Sequence, residues 1–225
     1  PSQIFGSINA NGRVFLSNPN GLIFGPHSTV NVQSLIATGL NINSNAFMSG
    51  VYDLQALQGA GAVINYGLIN AATGGNVALL GGEVANHGSI IANYGHVVMA
   101  SGKQMVVNFD GDGLINFQVN EQIVNNVSGS ENAVHNTGSI NADAGQVILQ
   151  GQVASDVFTN VVNNEGLIQA ASIQNVGGVI KLQSSGRTVH SGDINVQGEN
   201  GQGGQVQILG NQVGLFDDAK VNASG

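Results

Sequence analysis

The sequence has no cysteine and no tryptophan, and only five of its 225 residues are lysine or arginine. The missing cysteines exclude a disulfide framework and cysteine-ligated metal sites. Against 13 acidic residues, the five cations give a net charge of −8, which leaves no basic patch to neutralise nucleic-acid phosphates or to bind anionic lipid. No apolar run approaches the ~20 residues of a membrane-spanning helix. We therefore expect no nucleic-acid partner and no membrane span.

Two residue types are abundant instead: glycine, with 34 residues, and asparagine, with 29. Glycine adopts positive φ at tight corners, and asparagine tolerates the left-handed region better than most residues. Stacked asparagine side chains can also form amide ladders along the axis of a repeating structure. Hydrophobic residues make up 42% of the chain, which is too many for a disordered protein.

One phrase, Val-x-Asn-x-Gly-x-Ile-x-Ala, repeats through the chain. It starts at Val63 and again at Val84, so that Asn65 and Asn86 hold the same place in successive copies. It returns at Val134 and Val162, with a looser copy at 189–194. A fixed repeat of about 20 residues predicts a solenoid, in which each unit buries its apolar face only against its neighbours.

The units are strands rather than helices. Apolar residues alternate with polar or small ones in runs such as 75–79, 145–149 and 205–209, and glycine, asparagine and serine bound these runs. Short strands that stack on their equivalents one turn away form parallel sheets. The predicted fold class is all-β: a right-handed parallel β-helix with an extra-helical hairpin or sheet excursion, forming a single domain over 1–225.

Two segments interrupt the repeat. Residues 43–62 are interpreted as a loop with a helical turn around Asp53–Leu57. Residues 103–131 are the predicted excursion, because the interval from Asn86 to Asn136 is more than twice that from Asn65 to Asn86. We expect part of this segment to form one further coil. The rest should form a hairpin in which 105–109 and 114–119 flank the turn sequence Asp110-Gly-Asp-Gly113.

The opening segment, 1–42, is predicted to form five strands, near Ile4–Ile8, Arg13–Leu16, Leu22–Phe24, Thr29–Val32 and Ser34–Ala37. Between the second and third lies Asn18-Pro19-Asn20-Gly21, a predicted β-turn. Asparagine at the first position accepts backbone hydrogen bonds, proline presets φ at the second, and glycine closes the turn.

From Ser2 to Gly21 the chain reads Ser-Gln-Ile-x-Gly-Ser-Ile-x-Ala-x-Gly-x-Val-x-Leu-x-Asn-Pro-Asn-Gly. This phrase resembles the secretion domain of two-partner-secretion exoproteins, the filamentous-haemagglutinin-like adhesins and contact-dependent toxins of Gram-negative bacteria. The segments 35–42, 63–102 and 109–115 also resemble family segments. Leu22 stands where the family usually has isoleucine.

The resemblance implies a secretion and targeting module, not an enzyme, with no cofactor, metal or small-molecule substrate. Its implied partner is an outer-membrane transporter of the TpsB type, whose periplasmic POTRA domains bind the chain in extended form. The implied recognition residues are Asn18, Pro19, Asn20 and Gly21, although the same four residues also have a purely structural interpretation as a turn. The implied route leads through the periplasm to the cell surface, and we expect a monomer.

The family carries an earlier cap and a second Asn-Pro-Asn-Leu-like motif upstream, whereas Asn18-Pro19 is the one Asn-Pro pair here. We therefore expect a fragment that lacks the upstream cap, with further repeats continuing beyond an unfinished turn at 221–225.

Calcium binding, glycoside cleavage and metal ligation by histidine fit the sequence less well. Asp110 and Asp112 resemble the start of a calcium loop, but the 12-residue pattern fails, which favours a hairpin turn. Glycoside cleavage needs two converging acids, and the acids here are scattered: Asp53, Glu83, Asp143, Asp156, Glu165, Asp193, Glu199 and the pair Asp217-Asp218. His27, His87, His96, His135 and His190 match no metal-ligand spacing, and three of them, His87, His135 and His190, lie at or beside the asparagine of the repeat.

Two alternative functions stay open at this point. One is a structural shaft of an adhesin, which shares the fold but needs no recognition motif. The other is a polysaccharide-binding or polysaccharide-cleaving β-helix, which would need a groove that carries aromatic and acidic residues.

Overall fold

Three parallel sheets run side by side along the chain, which the computed structural model describes over residues 1–48, 52–57, 59–109, 115–126, 128–174, 176–199 and 201–225. Each strand pairs with the equivalent strand one coil away, so coil order and strand order agree within every sheet. This arrangement is a parallel β-helix, and it confirms the predicted fold class.

The strands are numbered in chain order and grouped here by sheet. Face 1 contains β1 (Ser2–Ile4), β4 (Leu22–Phe24), β9 (Ala62–Asn65), β12 (Glu83–Asn86), β17 (Asn132–Asn136), β20 (Asn160–Asn164), β23 (Arg187–His190) and β26 (Gln212–Leu215). Face 2 contains β2 (Ser7–Asn9), β5 (Thr29–Val32), β10 (Leu68–Ala71), β13 (Ser89–Ile91), β18 (Ser139–Asn141), β21 (Leu167–Gln169), β24 (Asp193–Asn195) and β27 (Lys220–Asn222). Face 3 contains β3 (Arg13–Ser17), β6 (Ser34–Thr38), β11 (Val77–Gly81), β14 (His96–Ser101), β19 (Gln146–Gly151), β22 (Val179–Ser184) and β25 (Gln205–Leu209).

A fourth, antiparallel sheet lies outside the coil and is called the outer sheet. Its strand order is β16 (Ile115–Glu121), β15 (Gln104–Phe109), β8 (Tyr52–Gln55) and β7 (Asn41–Ile42), and the short helix α1 (Ser44–Met48) precedes β8. The two interruptions of the repeat therefore meet in space, where β8 and β15 pair side by side.

The interior of the coil is filled by the alternate residues of all three faces. Val63 of face 1, Ile69 of face 2 and Leu79 of face 3 are fully buried in one continuous apolar cluster. Burying a side chain of this size stabilises the fold by roughly 1.5–3 kcal/mol. The repeat phrase is thus the inward-facing pattern of each coil.

A second apolar layer explains the outer sheet. On face 3, residues that point away from the coil interior, such as Ile36, Leu80 and Val98, are buried against Leu54 and Met105 of the outer sheet. Without this cover, each of these apolar side chains would face water. The excursion therefore completes a second core instead of extending freely into solvent.

One strand prediction and one helix prediction are wrong, and so is the further coil predicted within 103–131. The predicted strand Ile4–Ile8 is two strands on different faces, because Gly6 occupies the corner position that Gly67 and Gly88 hold in later coils. The predicted helical turn at Asp53–Leu57 is strand β8, held by pairing with β15.

The helix lies earlier, at Ser44–Met48, where the Asn43 side chain accepts hydrogen bonds from the backbone amides of Asn45 and Ala46 at 3.1 Å each. No further coil forms within the described part of 103–131, because Asn86 pairs directly with Asn136.

The predicted hairpin is confirmed by the antiparallel pairing of β15 with β16. The turn sequence Asp110–Gly113 lies outside the described residues, and so does the calcium-loop alternative.

Candidate functional site

The Asn18–Gly21 segment forms a β-turn between face 3 and face 1. The amide of Gly21 donates to the carbonyl of Asn18 at 2.7 Å, which closes the turn. The amide of Asn20 donates to the Asn18 side-chain oxygen at 2.9 Å, and the side-chain nitrogen of Asn18 donates to the Ser2 hydroxyl at 2.8 Å. Both ends of the Asn18 amide are therefore engaged within the folded chain.

The turn is of type I, because its left-handed residue is Gly21, with φ at 98°, and not Asn20. Proline at the second position and glycine at the fourth are the preferred residues of this turn type. The predicted turn chemistry is confirmed, while recognition by a partner stays a prediction at this point.

The turn is packed against the next coil. A Cβ atom at Gly21 would lie 2.7 Å from the carbonyl oxygen of Ala62, and one at Gly61 would lie 2.6 Å from the carbonyl oxygen of Pro19. Gly21 is buried, and Asn18 and Pro19 are half-buried. Only Asn20 is exposed, so the folded chain presents one of the four predicted recognition residues to solvent.

The two longest interruptions of the β-helix lie at this same corner, where the chain passes from face 3 to face 1. We call it the insertion corner; its segments are 18–21, 39–61, 82, 102–131, 152–159, 185–186 and 210–211. The Asn18–Gly21 turn is the first segment at the insertion corner. The next segment, 39–61, packs on this turn through Gly61 and contributes β7 and β8 to the outer sheet.

An apolar cavity of about 360 Å³ opens at the insertion corner, next to the turn's packing partners. Ala62 lines it from the coil, and Leu57, Ala60, Ile123 and Phe158 line it from the insertions. Its polar edge carries Lys103, whose ammonium lies 3.3 Å from the Glu121 carboxylate, with both side chains about half exposed.

Some of the scattered acids have structural roles in the described part of the chain. Asp143, for example, accepts hydrogen bonds from the Gln169 side chain and from the amide of Ala171, so it holds a corner of the coil. Among the described residues, no group of three or more histidine, aspartate or glutamate side chains is arranged to hold a metal ion. The described helix, α1, is too short to cross a membrane, and no other described segment forms a long apolar helix.

The histidines have polar structural roles. His87 stacks on Tyr66 with ring centroids 4.9 Å apart, and its Nδ1 lies 2.7 Å from the Thr137 hydroxyl. Burial lowers the pKa of His87 below its ordinary value, and the neighbouring His135 acts in the same direction against weaker opposing effects of Glu83 and Glu165. Burial also lowers the pKa of His96.

His190 has a role that sequence reasoning missed. Its side chain is fully buried and takes the position of the repeat asparagine, in register with Asn164 of the preceding coil. The register of the loose copy at 189–194 was the available signal, because aligning Gly192 with Gly166 places His190 opposite Asn164.

A family model described as the TPS secretion domain matches residues 1–215 of the chain. The chain is 38% identical over 79 residues to a heme/hemopexin-binding protein of Haemophilus influenzae strain Rd, over 31% of this chain and 9% of that protein. A second Haemophilus influenzae protein of the same description is 41% identical over 64 residues, over 25% of this chain and 7% of that protein. The chain thus spans less than a tenth of the length of these curated relatives.

Among solved structures, the HMW1 secretion domain from Haemophilus influenzae superposes with a TM-score of 0.70 at 23% identity. The match covers 97% of this chain and 66% of that one. At this identity the likeness supports the fold, a parallel β-helix.

Proposed function

Since the chain belongs to the TPS secretion domain family, we propose that it targets a larger exoprotein to a TpsB-type transporter, which reads Asn18, Pro19, Asn20 and Gly21 before the domain folds. TPS exoproteins are secreted across the outer membrane of Gram-negative bacteria, and a TPS domain implies a TpsB partner in general. In this proposal the periplasmic POTRA domains of the transporter make the contact with Asn18–Gly21.

The observation that carries the proposal is the state of the turn in the folded chain. The Asn18 amide donates one hydrogen bond and accepts one, Gly21 is buried against Ala62, and Leu22 and Phe24 are 3% and 0% exposed. A transporter that reads this segment must therefore bind it in extended form. Any partner that binds only the unfolded chain shifts the equilibrium away from the fold.

Folding outside the cell then releases the segment. Each coil adds about 5 Å along the axis and buries apolar strand faces such as that of Val77 and Leu79. At ~25 cal/mol per Å² of apolar surface, this burial favours outward movement without ATP. The secreted domain acts as a monomer at the cell surface.

The proposed targeting role of this domain does not define the activity of the full exoprotein. The aligned relatives bind heme and hemopexin by their descriptions, but the shared stretch is at most 9% of their length. We propose adhesion or contact-dependent toxicity for the full exoprotein and place neither activity in this domain. A polysaccharide-cleaving role would need two converging acids, and Asp143, for one, is held by hydrogen bonds at a corner of the coil.

A binding experiment tests the proposal. The chain, folded and urea-unfolded, is titrated onto purified periplasmic domains of its transporter, in parent form and as Asn18→Ala with Asn20→Ala. We expect the unfolded parent to bind and the unfolded double variant to bind several-fold more weakly.

The matched control is Asn211→Ala, a change at the same corner in a late coil, where the Asn211 side chain donates to the Ser185 carbonyl. We expect its unfolded form to bind like the parent. Equal binding by all three chains would overturn the assignment of Asn18–Gly21, and stronger binding by the folded chain would overturn extended recognition.

A further inference from the structure

A column of buried polar side chains runs along face 1 of the β-helix. It consists of Asn65, Asn86, Asn136, Asn164 and His190, each fully buried and each on a successive coil. The side-chain nitrogen of each asparagine donates to the next asparagine oxygen at 2.8 Å, and the last donates to Nδ1 of His190 at 3.1 Å. We call this column the polar ladder.

We propose that the polar ladder sets the register in which the coils stack across the insertions. This inference concerns the folded chain alone and holds whether or not a transporter reads Asn18–Gly21. The ladder joins strands of this same chain, so the proposal requires no partner protein.

Packing does not require polar residues at this position. The same stack continues with Phe24 before Asn65 and with Leu215 after His190. Phe24 is fully buried there, so an apolar side chain fits the site. The amides therefore add directional pairing to a position that apolar residues also fill.

The ladder spans the longest insertion, where chain length determines the register least, whereas Phe24 faces Asn65 across the insertion 39–61. Asn65 and Asn86 are 21 residues apart, but Asn86 and Asn136 are 50 apart, and Asn136 and Asn164 are 28 apart. A strand that follows an insertion can dock on its neighbour in more than one register, since the repeat phrases are nearly identical. A slip of two residues keeps apolar side chains inward but moves the asparagine away from its partner.

The two ends of the ladder are closed within the chain. At the start, the Asn65 oxygen accepts the amide of Gly67 at 3.1 Å. At the end, Nε2 of His190 donates to the carbonyl of Lys220 at 3.1 Å, because Nδ1 is the acceptor for Asn164. An asparagine in place of His190 would instead direct its amide toward Leu215, which offers no acceptor in its side chain.

A triple variant separates register from simple stabilisation: Asn86→Leu, Asn136→Leu and Asn164→Leu. Both partners of the inner bonds become apolar together, which leaves few orphaned groups and limits the loss of stability. Asn65 stays, so Gly67 keeps its acceptor.

Cysteine pairs read the register, because the natural sequence has no cysteine. Ser89 and Ser139 are register partners across the long insertion, with hydroxyl oxygens 2.9 Å apart. Ser89→Cys with Ser139→Cys therefore reports the native register. Ser89→Cys with Asn141→Cys reports a slip of two residues.

Each chain is refolded from urea, oxidised mildly and scored for disulfide by mass spectrometry. In the parent background we expect the native pair to cross-link and the slipped pair to stay reduced. In the triple variant we expect the native yield to fall several-fold and the slipped yield to rise. Native yields equal to the parent, with no slipped product, would overturn the proposal and leave the ladder as a stabilising contact.

If the triple variant does not fold, Asn136→Leu alone decides. Its control is the neighbouring boundary, where Leu68 and Ser89 are register partners and the insertion corner holds only Gly82. We expect the cross-link from Leu68→Cys to Ser89→Cys to persist while that from Ser89→Cys to Ser139→Cys falls. Equal yields at both boundaries, whether both fall or both persist, would overturn the proposal.

Discussion

Gly61 packs its α-carbon directly on the backbone of Gly21, although the two residues are far apart in the sequence. A Cβ atom at Gly61 would collide with the Gly21 nitrogen and lie 2.6 Å from the Pro19 carbonyl oxygen. The turn that the family resemblance identifies as a recognition element is therefore shaped by the first insertion of the β-helix. Four consequences of the structure are open to measurement.

Gly61→Ala tests this contact. The added methyl group meets backbone atoms, which cannot rotate away, so we expect a loss of about 1–3 kcal/mol in the free energy of unfolding. Urea denaturation monitored by circular dichroism measures it. Gly12→Ala is the control, because a Cβ atom there would meet nothing within 4 Å. A loss at Gly12 as large as that at Gly61 would contradict the packing argument.

Substitutions at Asn18 and Asn20 distinguish a structural role of the turn from a role in recognition. Asn18→Ala removes two side-chain hydrogen bonds, so we expect it to lower the stability of the folded chain by about 1 kcal/mol. Asn20 is exposed at the tip of the turn, and we expect Asn20→Ala to change stability by less than about 0.5 kcal/mol.

Secretion of the two variants by cells that carry the transporter gives the second readout. We expect Asn20→Ala to reduce secretion despite its intact fold. If Asn20→Ala is secreted like the parent while Asn18→Ala is not, the turn acts in secretion only through the fold.

The repeat was predictable because its pattern is local. The phrase that starts at Val63 and Val84 placed Asn65 and Asn86 in equivalent positions, and the structure pairs them. The turn at Asn18–Gly21 was equally predictable, since the two hydrogen bonds that close it lie within four residues.

Long-range pairing was not predictable in this way. Residues 52–55 form a strand because β15, from a distant part of the sequence, pairs with them, and nothing in the local sequence records that partner. His190 was hidden for a different reason: a ring nitrogen replaces an amide oxygen as acceptor, so the chemistry of the ladder is kept while the residue letter changes. The contact between Gly61 and Gly21 belongs to the same class of long-range relationships.

Substitutions of inward-facing residues test whether folding of the β-helix drives secretion. Leu79 is fully buried in the coil interior, so we expect Leu79→Asn to cost at least about 3 kcal/mol and to slow secretion. Leu57→Asn is the matched control, because Leu57 is 71% exposed. Pulse-chase secretion and urea denaturation are measured on the same variants. Unchanged secretion of a Leu79→Asn chain that folds poorly would refute folding as the source of outward movement.

The lowered pKa of His96 predicts how the free energy of unfolding depends on pH. Burial lowers its pKa in the folded chain, so between that value and the ordinary value of about 6.5 the unfolded chain binds more protons. The stabilisation is complete above about pH 6.5 and is lost progressively as the pH falls toward the folded pKa. Neutral His96 donates from Nδ1 to the Asn76 side-chain oxygen at 3.1 Å, a bond that glutamine can replace.

We therefore expect the urea midpoint of His96→Gln to fall less than that of the parent between pH 7.5 and pH 5.5, measured in steps of half a pH unit. His27→Gln, a change at an exposed histidine, is the control and should follow the parent curve. The sequence is otherwise unchanged in each variant, so the difference between the His96→Gln and parent curves isolates His96. Superimposable curves for His96→Gln and the parent would show that His96 contributes nothing to the pH dependence.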